Sequence, residues 1–135
     1  MTWQATDRST RLLSLWLWLG FWAALFVATH VPVSSAGPVP LRHGDKVLHF
    51  GLYFLLAYLG GRYLRATDRL SLPRLLVWAV VYCTYAALDE WLQQFVRRGM
   101  SLGDWVCDVI GVLVATAMMA RTRRRSALSE RAPSG

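Results

Sequence analysis

The chain has 135 residues, of which 55% are hydrophobic and seven are Trp, and its formal net charge is +7. This is one domain at most, and a soluble domain of that size has too little interior to hide so much apolar surface. The basic residues flank long apolar runs and form no nucleic-acid-binding motif, which excludes a nucleic-acid partner and points to a polytopic protein whose partner is the lipid bilayer.

Residues 1–11 read as a short polar leader on the cytoplasmic side, with Arg8 and Arg11. Leu12 to Val31 is a twenty-residue apolar run, long enough to cross ~30 Å of hydrocarbon as a helix. A cleaved signal peptide is the competing reading, because Ser34, Ser35 and Ala36 are small residues at plausible cleavage positions. Signal h-regions are shorter, ~7–15 residues, which favours a retained span. His30, at its end, reads as an interfacial residue and not as a ligand.

Pro32, Gly37, Pro38, Pro40 and Gly44 make the next segment a loop. Asp45 stands where an N-cap belongs, and Lys46 to Leu64 forms the second span. Asp45, His49 and Tyr53 follow one another at intervals of four and share a stripe of that helix. Gly60-Gly61 either permits a close helix contact or marks a fraying end.

Arg65 to Leu72 is a basic connection, and Pro73 suits the first turn of a third helix running to about Val96. This helix is apolar through Leu88 and then abruptly polar, with Asp89, Glu90 and Gln93 converging on one side. After a turn at Arg97 to Met100, Ser101 can cap a fourth helix ending near Ala120, with Asp104 favoured by the positive end of its dipole. Asp104, Asp108 and Gly111 fall on one face. Residues 121–135 are basic and are expected to form a disordered cytoplasmic tail against anionic headgroups. Cys83 and Cys107 are expected to be small buried apolar residues, at depths too different for a disulfide.

The expected architecture is therefore all-α, an integral membrane bundle of four transmembrane helices over residues 12–120. Four spans put both termini and the middle connection on one side, which holds eleven of the fifteen basic residues. The positive-inside rule then places both termini in the cytoplasm of a multi-pass cell-membrane protein. Asp45, Asp89, Glu90, Asp104 and Asp108 gather toward the opposite, outer leaflet.

A polar site follows if the second, third and fourth helices pack together. Its candidate ligand-binding residues are Asp45, Lys46, His49, Tyr53, Asp89, Glu90, Gln93, Arg98, Asp104 and Asp108. A purely structural cluster of caps and interhelical hydrogen bonds is the plainer alternative. It does not account for Asp89 and Glu90 at a helix C-terminus, where the dipole disfavours negative charge. Arg98, Lys46 or a ligand's cation is the simplest expected compensation. Three functions fit: a binding site for a lipid or lipid-linked sugar headgroup; a hydrolase or transferase with His49 or Glu90 as general acid or base and carboxylates holding a divalent metal; or a small transporter or proton relay. The spacing supports no zinc site, so no metal or other cofactor is expected.

Three blocks of residues carry a family resemblance: Asp45-Lys46-x-x-His49-x-x-x-Tyr53, then Asp89-Glu90-x-x-Gln93-x-Phe95, then Arg98-x5-Asp104-x3-Asp108-x-x-Gly111. Together, over residues 45–111, they resemble the VanZ-like membrane proteins. Two departures stand out. The turn usually resembling Val-Pro-Gly-Arg is here Val96-Arg97-Arg98, one residue shorter, and Asp108 occupies a position that is often Asn. The resemblance implies an integral membrane protein linked, through the family's namesake, to resistance against the glycopeptide teicoplanin, and it leaves the reaction open. The function expected is recognition of an envelope lipid or lipid-linked cell-wall component. A membrane-embedded hydrolase or transferase acting on such a molecule is the alternative.

Overall fold

A computed structural model describes residues 8–30, 44–96 and 101–129. Over those residues the chain is helical, with α1 at Arg8–His30, α2 at Gly44–Ala66, α3 at Leu72–Gln93 and α4 at Leu102–Ser129. A single 3-10 turn, Gln94–Val96, follows α3. All four helices are long and apolar enough to cross a membrane. Their outward faces carry Trp16, Leu17, Leu76, Val77, Val80, Ile110 and Leu113, all exposed. Apolar surface of that extent belongs in lipid, and the chain is a multi-pass, all-α membrane bundle.

The inward stripes follow heptad-like spacing. On α3 the buried positions are Leu75, Ala79, Tyr82, Ala86, Asp89, Glu90 and Gln93, and on α4 Asp104, Asp108, Gly111, Val112, Ala115 and Met119. The α2–α4 pair is the most extensive contact in the bundle, and α1 lies against α2 and, more lightly, α3. Small residues set these distances. A Cβ at Gly111 would overlap the carbonyl oxygen of Phe50, and one at Gly61 would stand 2.6 Å from Met119 Cγ. Gly60-Gly61 is thus a buried contact and not a fraying end. Trp18 fills the space beside α2 and α3, stacked on Tyr63 at 5.3 Å and edge-on to Trp78 at 4.9 Å.

The two ends of the bundle differ chemically. At one end, Leu64, Leu75 and Met119 form a small core, and Arg11 of α1 reaches Asp68 in the α2–α3 turn at 3.2 Å. That end carries the arginines. α2 stops in a Schellman arrangement, with Arg69 N–H donating to the Leu64 carbonyl and Asp68 N–H to that of Arg65. Asp68 takes the left-handed position, φ 56°. Among the described residues, the opposite end carries every acid but Asp68.

Two expectations are corrected here. The fourth helix does not end at Ala120 but continues to Ser129, so the described part of the basic tail is helical and not disordered. Arginine is a good helix former, and the charge marks where hydrocarbon ends without ending the helix. Cys83 and Cys107 are free thiols, as expected, but half-buried and not buried.

Candidate functional site

At the acidic end, α2, α3 and α4 bring together most of the residues singled out above, and α1 adds two more. Asp89 is 1% exposed and Glu90 3%. They are sequence neighbours on α3, so they point about 100° apart and meet different helices.

Asp89 meets α1. The Thr29 hydroxyl donates to its Oδ1 at 2.8 Å, and Gln93 Nε2 donates to its Oδ2 at 3.1 Å. His30 Nδ1 lies 3.6 Å from the same Oδ1. That nitrogen also stands 2.9 Å from the Phe26 carbonyl, which can only accept, so Nδ1 carries the proton.

Glu90 meets α2 and α4. The backbone N–H of Ser101, one residue before α4, donates to Oε2 at 2.9 Å. Its other oxygen, Oε1, stands 3.8 Å from His49 Nδ1 and is buried without a hydrogen bond. The same His49 nitrogen lies 3.1 Å from Asp108 Oδ1. Asp108 is 1% exposed, and its second oxygen is likewise buried without a hydrogen bond. Below them the fully buried Tyr53 closes the floor of the cluster.

Asp104 sits at the rim. Lys46 Nζ donates to it at 2.8 Å, and its own backbone N–H bonds Ser101 Oγ at 3.3 Å. Ser101 is thus the cap expected from the sequence, and it serves Glu90 as well. Trp105, the next residue, donates its indole N–H to the Cys83 carbonyl at 3.4 Å and ties α4 to α3.

His49, Tyr53, Asp89, Glu90, Gln93, Asp104 and Asp108 therefore form one buried cluster, with Lys46 at its edge. Asp45 does not join them. It lies inside the first turn of α2 and not at the cap, and it is exposed. Arg98 lies outside the described residues. The expected compensation of Asp89 and Glu90 by Lys46 is also corrected, since Lys46 is engaged by Asp104. Among the described residues, neutral donors and the two histidines attend the buried pair.

Sequence reasoning missed Thr29, and it placed His30 at the interface without its approach to Asp89 Oδ1 at 3.6 Å. The available signal was the spacing Trp18, Trp22, Leu25, Thr29 on α1, which carries Thr29 onto the inward stripe.

Two open apolar grooves lie on either side of α3. One, of about 410 Å³, runs between α1 and α3 along Leu19, Trp22, Ala23, Phe26, Val27 and Tyr85. Its upper residues lie about one turn from His30 and Asp89. The other, of about 460 Å³, lies between α3 and α4 and includes Cys83, Thr84, Ala87 and Trp105. Compared with protein-family models, curated proteins and solved structures, the chain matches none.

Proposed function

We propose that this protein is a VanZ-like integral membrane protein that binds an envelope lipid or lipid-linked cell-wall component. One observation carries the reading: an apolar groove between α1 and α3 reaches Phe26 and Tyr85, about one helical turn from His30 and Asp89 at the edge of a buried cluster of carboxylates, imidazole and amide groups. An acyl chain matches the groove, and a polar headgroup matches the cluster. Burying that many ionisable groups beside hydrocarbon is costly, ~2.5–3.5 kcal/mol each at a helix centre, and ligand recognition is a reason to keep them.

The positive-inside rule puts the arginine-rich end, with both termini, in the cytoplasm. The cluster then opens at the outer face, where glycopeptides meet cell-wall precursors, and the physiological consequence is altered envelope properties or teicoplanin susceptibility. A second reading is favoured by one feature, His49 held by Asp108 with Glu90 beside it. It makes the protein a hydrolase or transferase on the same class of lipid-linked substrate, with His49 or Glu90 as general acid or base.

The test is native mass spectrometry from mild detergent, comparing wild type with Ala23→Phe, which fills the α1–α3 groove. A lipid-sized adduct on the wild type that is depleted in the variant supports the reading. No adduct on either protein, with both folded, overturns it.

A further inference from the structure

From the geometry at the acidic end we infer a divalent transition-metal site, of zinc or manganese type, formed by His49 of α2, Glu90 of α3 and Asp108 of α4. This deepens the proposed function by naming what occupies the cluster, and it rests on that reading only for the headgroup, not for the ion.

Two of the four buried carboxylates are already engaged. Asp89 accepts from Thr29 on one oxygen and from Gln93 on the other. Asp104 is engaged by Lys46 and lies at the rim. Glu90 Oε1 and Asp108 Oδ2 are different: each is buried and lacks a hydrogen bond. A buried carboxylate oxygen left without a hydrogen bond costs ~1–3 kcal/mol, and here two occur on the carboxylates that flank one imidazole.

Distance decides between a loose acidic patch and a chelate. His49, Glu90 and Asp108 each offer a ligand atom, and these atoms all lie within 4.8 Å of one another. His49 Nδ1 is 3.1 Å from Asp108 Oδ1 and 3.8 Å from Glu90 Oε1. Two atoms held on one ion at ~2.0–2.2 Å each stand roughly 3–4 Å apart, so small side-chain adjustments suffice. The ion would replace the proton on His49 Nδ1, and two carboxylates with a neutral imidazole then balance a 2+ charge.

The donor set names the class of metal. Magnesium and calcium prefer all-oxygen shells, whereas a mixed imidazole and carboxylate set suits zinc or manganese. Three protein ligands leave coordination positions for water or, on the lipid reading, a phosphate oxygen of the headgroup. The sequence concealed this site because its three members come from three helices, with no short-range spacing to reveal them.

The experiment is metal analysis by plasma mass spectrometry on protein purified in detergent, followed by chelation and calorimetric titration with Zn²⁺ and with Mn²⁺. We expect one equivalent bound by the wild type and by Asp68→Asn, whose carboxylate is exposed at the opposite end of the bundle, and binding weakened at least ~10-fold in Glu90→Gln and Asp108→Asn. Thermal unfolding of the chelated wild type with and without each ion covers the case in which those variants fail to fold, because a native site must raise the melting temperature. No copurified ion, no heat of binding and no thermal shift overturns the inference. Equal binding by wild type and Glu90→Gln also overturns it. Lipid adducts that persist on a metal-free protein count against the ion alone, and an ion bound without any lipid adduct counts against the lipid reading alone.

Discussion

Replacing Gly111 by Ala tests the bundle where its two most closely paired helices meet. An added Cβ would overlap the Phe50 carbonyl oxygen and stand 2.9 Å from the Phe54 amide nitrogen. Both are backbone atoms of α2, so no side-chain rotation relieves the clash and the helices must move apart. Overpacking of this kind costs ~1–3 kcal/mol, and separating the helices by ~0.5–1 Å forfeits a quarter to a half of the dispersion energy of the affected contacts. Against this, Ala gains ~1 kcal/mol over Gly in helix propensity. The net expectation is a loss of ~1–2 kcal/mol, or roughly 3–8 °C in melting temperature for a domain of this size. Gly20 and Gly51 supply the control, since a Cβ at either meets no heavy atom within 4 Å. Gly20→Ala and Gly51→Ala keep only the propensity gain and are expected to leave the melting temperature unchanged or raise it. The assay is thermal unfolding of all three variants in one detergent. A Gly111→Ala protein as stable as Gly51→Ala would refute the close α2–α4 packing, and with it the register that sets His49 beside Asp108.

Two further outcomes follow from named contacts. Thr29→Val removes a hydroxyl donor from the buried Asp89 and is expected to cost ~1–3 kcal/mol, whereas Thr29→Ser keeps the donor and most of the stability; paired melts distinguish them, and equal losses would deny the bond. Asp68→Val forces a β-branched residue into the left-handed position that ends α2 and is expected to cost ~1–2 kcal/mol, while Asp68→Gly relaxes that position and loses only an exposed ion pair with Arg11, so its melting temperature stays at or above that of the wild type.

The four spans were legible because twenty apolar residues in a row have few other uses, and the inward face of α3 could be read from Asp89, Glu90 and Gln93. The pairing of those residues was less legible. Lys46 was an expected partner of the α3 acids, yet it reaches Asp104, because the α2–α4 approach set by Gly111 brings those two together first. The rotation of α1 about its axis leaves no trace in the motif blocks, which begin at residue 45, and so Thr29 and His30 were not assigned to the cluster. The boundary at Ala120 failed for a different reason. Hydropathy reports where an apolar run ends, and arginine, a good helix former, lets the helical hydrogen-bond ladder continue past it to Ser129.

Asp89 and Glu90 are adjacent carboxylates with opposite surroundings, and the helical rotation between them divides the work of the site. Asp89 turns toward α1 and has both oxygens filled by protein donors, Thr29 and Gln93. It acts as a fastening between the first helix and the rest of the bundle. Glu90 turns toward α2 and α4 and has one oxygen held by the Ser101 amide, with the other left beside His49. A purely structural cluster would satisfy both residues alike. The asymmetry separates a lock from the group that the proposed ligand would meet: α1 reaches the cluster's edge through Thr29 and His30 and secures Asp89, and the unfilled oxygens remain on Glu90 and Asp108, the two carboxylates beside His49.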